Sequence, residues 1–418
     1  MSKICLINLG CVRNLSDAET ILGRFRQGGH VIVPLDEAET LIINTCGFIE
    51  DAKQESVDAI LEAVELKKEG KVRNIVVAGC LSQRYADDLR GEFPEVDAFI
   101  GVQQLVRDAA LPQFRLTPEH MAYLKICESC FNHCAFCAIP RIKGKFASRG
   151  REAVLREAAD ADQQGVKELN IIGQDTTAYG LDLYREKALA GLLKDISGTV
   201  KNIRWLRLLY TFPRHITDDL LDVMAGEERI CRYLDVPLQH VSGRILKNMN
   251  RQMTAEQTRS LITRVRDKIP QVRIRTAFIT GLPGETEEDF DELVDFVRWA
   301  RIDRVGVFAY SAEEGTPAFA MPDQVPQDIR EQRRDRLMAV QQEIALELNQ
   351  GMIGRELEVL IEGYDADRSV AYGRSEYDAP DVDGLVYVRG GQECRPGDMI
   401  KVRISEALEY DLIGEKHE

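Results

Sequence analysis

The chain has 418 residues, 44% of them apolar and 29% charged, which fits folded globular proteins and excludes disordered, collagen-like and small disulfide-bonded classes. At roughly 100–200 residues per domain, that length predicts two to four domains. A net charge of −15 argues against a protein that grips nucleic acid by bulk electrostatics, and no apolar run approaches the roughly 18 residues of a membrane span.

Residues 1–112 open without the apolar core and cleavage site of a signal peptide, so a cytoplasmic protein is expected, with no membrane partner. In that reducing compartment the ten cysteines should be metal ligands, reactive thiols or small core residues, not disulfides. Apolar runs at 4–9, 41–44 and 75–78 predict strands, and Val57, Ile60, Leu61 and Val64 recur at helical spacing between two of them. Strand–helix alternation predicts a parallel sheet with helices on both faces. Cys11, Cys46 and Cys80 each follow one of these strands, and all strand carboxyl ends of an open parallel sheet lie along one edge. Three thiols can therefore converge on one inorganic group, with Gly10, Gly47 and Gly79 letting the backbone approach it. The alternative is three ordinary buried cysteines. Cys5, Cys231 and Cys394 read as core residues.

Residues 113–351 carry further strand candidates at 122–126, 169–172, 205–209, 233–236, 273–278 and 305–310, about six strand–helix units of a full or partial barrel. The loop after the first holds Cys127, Cys130, Cys134 and Cys137. Taken together they form a closed four-thiolate zinc or iron–sulfur site. Taken as Cys130, Cys134 and Cys137 alone, they leave one iron of a 4Fe–4S cluster open to a substrate or cofactor, which is the mark of a catalytic centre. The barrel-like context favours the second parsing, with Cys127 a small packed residue and His133 structural. Arg141, Lys143, Lys145, Arg149 and Arg151 follow with no acid among them, either as a solvated loop or as compensation for negative charge at the centre.

Residues 327–350 read as one charged helix, and 352–418 as short alternating strands of a small antiparallel β-barrel. That last segment has 8 basic and 16 acidic residues, net −8, more than half of the total imbalance. Asp378, Asp381 and Asp383 flank Pro380 and read as exposed docking charge whose reversal costs little stability.

The spacing of Cys130, Cys134 and Cys137, with Phe136 before the last, resembles the radical S-adenosylmethionine signature. With a dispersed amino-terminal triad and a terminal β-barrel, the whole chain resembles the methylthiotransferases. Residues 8–14 (NLGCVRN) and 44–49 (NTCGFI) are similar to the family's first two cysteine motifs. Residues 172–180, 235–240 and 310–316 resemble the branch that modifies a ribosomal protein rather than the one that modifies tRNA. Cys127 and Leu282 depart from the usual pattern.

The resemblance implies an α/β protein with a flavodoxin-like domain over 1–112, an open (β/α)6 radical core over 113–351 and a TRAM barrel over 352–418. It implies two 4Fe–4S clusters, one on Cys11, Cys46 and Cys80 and one on Cys130, Cys134 and Cys137, the latter triad catalytic. S-adenosylmethionine would serve as radical source and methyl donor, with Gln174 and Asp175 holding its methionine portion and Phe136, Gly281 and Gly284 its nucleoside. Asp235, Gln239 and His240 would face the substrate. The implied reaction adds a methylthio group to the β-carbon of an aspartate in small-subunit ribosomal protein S12, with an electron donor and a sulfur source as further partners. An acidic barrel suits that basic protein through charge complementarity. The alternatives are a tRNA adenosine methylthiotransferase and a non-catalytic two-cluster electron-transfer protein.

Overall fold

The computed structural model describes residues 2–102 and 107–417. Strands β1 (Lys3–Asn8), β2 (Val31–Ile32), β3 (Thr40–Thr45), β4 (Asn74–Gly79) and β5 (Ala98–Ile100) form one parallel sheet in the order β2-β1-β3-β4-β5. This is the flavodoxin-like order. The period-2 geometry of a strand sorts its apolar residues onto two faces. Leu41, Ile43, Ile75 and Val77 pack against Ile60, Ala63 and Val64 of the helix Glu50–Lys68. Ile42 and Ala78 point the other way, onto Ile21 and Phe25 of the helix Val12–Gln27. The strand order reverses between β1 and β3 while the strands stay parallel, which opens a crevice at their carboxyl ends.

The central region contains β6 (Met121–Lys125), a two-residue ladder of β7 (Cys127–Glu128) with β8 (Ala147–Ser148), then β9 (Glu168–Ile172), β10 (Trp205–Leu208), β11 (Tyr233–Asp235), β12 (Arg273–Thr280) and β13 (Arg304–Ala309). Six of these run parallel as two three-stranded sheets, β6-β9-β10 and β11-β12-β13, joined by a bridge between Leu206 and Ile230. Among the described residues β6 and β13 do not pair, so the barrel is an open arc. Both other regions contribute to its inner face: Val12 and Leu15 from the amino-terminal helix, and Leu360, Ala379 and Met399 from the carboxyl-terminal domain, pack with Tyr123, Leu209 and Tyr233.

Strands β14 (Glu356–Asp365), β15 (Val370–Ser375), β16 (Val386–Arg389), β17 (Met399–Ala407) and β18 (Leu412–Lys416) close into a barrel in the order β14-β15-β16-β18-β17. Its junction with the arc is ionic as well as apolar. Glu168 lies between Arg207 (2.7 Å) and Arg374 (2.6 Å), and all three side chains are at most 1% exposed. Arg304 pairs with Asp378 at 2.9 Å, and Asp383 meets Arg275 at 3.5 Å and the Tyr233 hydroxyl at 2.5 Å.

The expectation that Asp378, Asp381 and Asp383 form a free docking patch is therefore corrected. Asp378 and Asp383 are buried counter-ions of core arginines, and only Asp381 is exposed, at φ +66° on the loop tip. Reversing the buried pair would strand two guanidiniums, a loss of roughly 3–5 kcal/mol for a buried ion pair broken on one side.

A second buried group joins the amino-terminal domain to the core. Lys125 contacts Asp17 and lies 2.8 Å from Glu128, while Lys143 lies 2.8 Å from Asp17 and 3.4 Å from Glu128. Burial alone would push the Glu128 carboxyl up, but Lys125 and Lys143 outweigh it and hold it at about 2. Arg374 and Arg207 overcome burial in the same way at Glu168, also at about 2. A carboxylate depressed on folding contributes stability that is complete above its unfolded value near 4.3 and is lost as pH falls toward the folded one. The denaturant midpoint should thus fall between about pH 4.5 and pH 2. E168Q, followed over the same range, should show a shallower fall.

Candidate active site

The amino-terminal triad is assembled by three strand ends. Cys11 caps the helix Val12–Gln27 in extended conformation, and Cys46 follows β3. Cys80 opens the helix Cys80–Arg84 directly after Gly79. Ser56 pins Cys46 from both sides, accepting from its N–H at 3.0 Å and donating to its carbonyl at 2.9 Å. The Asn14 amide donates to the carbonyls of Leu9 and Thr45, both at 3.0 Å, and its oxygen lies 3.5 Å from Cys80 Sγ. Gly10, at φ +85°, has no room for a side chain: a Cβ there would come within 2.7 Å of Cys46 Cβ and 3.0 Å of its sulfur. Burial pushes the Cys80 thiol up to about 12 and raises that of Cys46, and the neighbouring sulfurs add to both. Cys11 is exposed, and Arg13, whose Nε lies 3.5 Å from its sulfur, outweighs desolvation and lowers its thiol.

The compact triad lies on the loop between β7 and the helix Ile139–Lys143. Asn132 approaches Cys130 Sγ with its backbone N–H (3.4 Å) and its amide (3.5 Å), and Arg251 donates to Cys134 Sγ at 3.5 Å while stacking over Phe212 at 4.2 Å. Burial, with the Asp175 carboxylate, pushes Cys130 up to about 11, and burial with the Cys134 sulfur pushes Cys137 up to about 12. Asp175 anchors this loop. Its carboxylate accepts from Asn132 (2.7 Å), Thr177 (2.6 Å) and the Ala178 N–H (3.1 Å), and meets His215 Nδ1 at 3.0 Å. Beside the triad lies a cleft of about 930 Å³, lined by Cys130, Asn132, His133, Lys145, Lys187 and Arg214 among others.

Cys127 is separate from this group. It is fully buried in the β7 ladder, with its sulfur 3.4 Å from the Asp175 carbonyl. A Cβ on Gly173 would lie 2.4 Å from that sulfur. Gly173→Ala should therefore destabilise the fold by about 1–3 kcal/mol through overpacking, and adding Cys127→Ala should restore much of it. Thermal denaturation of the single and double variants checks this, and an unrescued double variant would refute the contact.

Both triads fit a four-iron cluster by the chemistry of their donors. Among the described residues no three His, Cys, Asp or Glu side chains converge tightly enough to share one metal ion. A cubane binds each thiolate to a different iron, so its ligands stand apart. Every cysteine is a free thiol, and each triad is one thiolate short of a saturated site. The raised thiols must lose protons on binding metal, as thiolate ligands do. Arg13 and Arg251 each place an N–H on a triad sulfur, the kind of hydrogen bond that tunes iron–sulfur centres.

The other sequence candidates divide. Gln174 does not line the cleft: its amide donates to Glu128 at 3.0 Å, and its oxygen is buried with no protein partner. Phe136 does not line the cleft but packs on Leu282, Ile245 and Met249, and the aromatic wall is the edge-to-face pair Phe131 and Phe146. At Gly281 the open side is filled by Arg330, whose Cγ would be 2.2 Å from a Cβ, and Gly284 is a turn residue at φ +80°. Asp235 accepts from the Tyr210 N–H (2.8 Å) and from Arg275 (3.1 Å). Gln239 bridges to Phe278 at φ +74°, and His240 is buried beside Glu285. Glu313, in the 310–316 stretch, is an interdomain clamp, 3.0 Å from Arg84 and 3.2 Å from Lys53. Asn132, His215 and Arg251 were not singled out from the sequence.

The two triads meet at the domain junction. Cys80 packs on Ala138 and Ile142, the residues just after Cys137. Lys143, on that same turn, reaches across to Asp17. The Arg13 charge acts on Cys11 and Cys46 of one triad and on Cys137 of the other.

This fold and these donor sets define a radical S-adenosylmethionine protein with a second, dispersed thiol centre. Residues 124–297 match the Radical SAM superfamily, 3–101 the Uncharacterized protein family UPF0004 and 353–416 the TRAM domain. The chain is 46% identical to the ribosomal protein uS12 methylthiotransferase RimO of Pelotomaculum thermopropionicum, over 99% of each chain, and 42% identical to that of Clostridioides difficile, again over 99% of each. It belongs to the ribosomal protein uS12 methylthiotransferase family. Among solved structures, the radical S-adenosylmethionine methyltransferase TsrM of Kitasatospora setae, with cobalamin and a 4Fe–4S cluster bound, aligns with a TM-score of 0.56 over 86% of this chain and 81% of that one. At 13% identity that likeness concerns the fold. No helix among the described residues is long and apolar enough to cross a membrane.

Proposed function

We propose that this protein is an enzyme that transfers a methylthio group to the β-carbon of an aspartate in ribosomal protein uS12. The observation that carries the reading is the meeting of two incomplete thiol triads across one junction, in a chain matched along 99% of its length by uS12 methylthiotransferases. An electron-transfer protein would saturate each cluster with four protein ligands. The free state of all ten cysteines suits a reducing cytoplasm.

Cys130, Cys134 and Cys137 would hold one 4Fe–4S cluster and Cys11, Cys46 and Cys80 the other. When bound, these clusters and S-adenosylmethionine supply one-electron chemistry that activates an unreactive C–H bond, together with a transferable sulfur and its methyl group. The chain's own groups bind and orient. Gln174 offers an unpartnered buried oxygen to a ligand donor such as an amino group. Asp175 is saturated by four protein contacts and fixes Asn132 and His215. Lys145, Lys187 and Arg214 give the cleft a positive wall suited to a carboxylate.

The carboxyl-terminal barrel would dock basic uS12 through its outward acids, Asp367, Glu393 and Glu415, which are exposed, and not through Asp378 or Asp383. Reversing these three should slow association, and wild-type binding should weaken as salt rises past about 0.15 M. Stopped-flow measurements at two salt concentrations check this.

The test of the function uses anaerobically reconstituted protein with reductant, S-adenosylmethionine and purified uS12, followed by peptide mass spectrometry. A methylthio adduct on one aspartate is expected. An unmodified uS12 beside a modified tRNA adenosine would overturn the reading.

A further inference from the structure

Among the described residues, Arg13 is a guanidinium whose charge reaches sulfurs of both triads. It projects from the first turn after Cys11, its Nε 3.5 Å from that sulfur, and its guanidinium carbon lies 4.4 Å from the centre of the Tyr210 ring. The ring belongs to the radical core, and the arginine to the amino-terminal domain. Tyr210 is a rigid platform: it sits at φ +59°, gives its N–H to Asp235 at 2.8 Å and accepts from the Thr176 N–H at 3.1 Å. A left-handed backbone at a bulky residue persists only where its surroundings over-determine it.

Arg13 also lacks what its neighbours have. Arg275 has Asp235 and Asp383, Arg304 has Asp378, and Arg207 and Arg374 share Glu168. Among the described residues no carboxylate lies within ion-pair distance of Arg13, and neither of its terminal nitrogens donates to a protein acceptor. A half-buried guanidinium without a carboxylate is costly unless a ligand completes it. Its planar fork matches a carboxylate with two parallel hydrogen bonds, and stacking on an aromatic ring leaves that edge free.

We propose that Arg13, stacked on Tyr210, binds the side-chain carboxylate of the acceptor aspartate and so places its β-carbon between the two triads. This deepens the functional reading above and rests on it. The substrate carbon must be reached from both centres, and Arg13 sits at their junction without a carboxylate, whereas Lys143 there is already paired with Asp17 and Glu128. An acceptor that brings its own carboxylate completes the ion pair that the protein leaves open. A nucleobase brings no carboxylate to complete it.

The test measures binding of two uS12 proteins, one with the acceptor aspartate and one with asparagine in its place, to the reconstituted holoenzyme without reductant. Wild-type enzyme should favour the aspartate form by about tenfold or more, the usual effect of a hydrogen-bonded charge. R13Q should bind the two forms equally, with its loss confined to the aspartate form, and its KM for uS12 should rise. R13K, which keeps the charge and loses the fork, should fall between. Iron content is the control for the alternative that Arg13 only neutralises the thiolates. Loss of iron in R13Q with the aspartate preference intact would overturn the proposal, as would an unchanged preference with full iron. If wild-type enzyme fails to modify uS12 at all, the functional reading fails instead, and that outcome is separate from any effect of R13Q.

Discussion

Replacing Glu168 by alanine is expected to loosen the carboxyl-terminal barrel from the radical core and to lower the unfolding free energy by about 3–5 kcal/mol. The side chain is fully buried between Arg207 and Arg374, one from each partner of the junction. Removing it leaves two guanidiniums in an apolar setting beside Trp205, Tyr233 and Met121, with Glu362 still on Arg374 at 2.7 Å. The larger part of the loss comes from those stranded charges, not from the attraction itself. A double variant, Glu168→Met with Arg207→Leu, should therefore recover more stability than either change alone predicts. Chemical denaturation of Glu168→Ala, of the two single variants and of the double variant measures this. A Glu168→Ala protein within 1 kcal/mol of wild type would show that water enters the junction and solvates the arginines.

The parallel sheets were legible because strands buried on both faces read as unbroken apolar runs. The run at 75–78 became β4, Asn74–Gly79, and that at 41–44 became β3, Thr40–Thr45. The edge strands β2 and β5 were not read. They are two and three residues long, and Val31 and Ile100 are 45% and 40% exposed, so neither run nor alternation marks them. The convergence of Cys11, Cys46 and Cys80 was legible through topology alone, since each follows a strand whose end lies on the same edge.

Pairing between domains was not legible. Asp378 and Asp383 look like loop acids until Arg304 and Arg275 are brought to them, and Lys143 and Arg149 look like a basic loop until Asp17, Glu128 and Glu157 bury them. Net charge per segment therefore overstated the free acid on the terminal barrel. Arg251 gave no local signal, being far from Cys134 in sequence, whereas Arg13, two residues past Cys11, carried one that went unused.

The largest functional effect is expected from separating the two triads. Changing Cys11, Cys46 and Cys80 together to alanine should halve the iron from about eight atoms to about four per chain, on the proposed assignment of one cluster to each triad. The same variant should still cleave S-adenosylmethionine to 5′-deoxyadenosine, because Cys130, Cys134, Cys137, Asn132, Arg251 and the cleft beside them belong to the other domain. It should transfer no methylthio group, a loss below detection, because the proposed sulfur-holding centre is gone. Changing Cys130, Cys134 and Cys137 should also leave about four irons but abolish both products, and Cys127→Ala should keep all the iron, since its sulfur turns to the Asp175 carbonyl and to Gly173. The packing of Cys80 on Ala138 and Ile142 makes one control necessary: the amino-terminal triple variant must keep the wild-type denaturation midpoint, since Cys80 is also part of the junction. With that control met, methylthio transfer at the wild-type rate by the Cys11, Cys46 and Cys80 variant would end the sulfur-carrier assignment. Loss of 5′-deoxyadenosine formation in that variant would instead mean that the two centres act as one electronic unit across the junction.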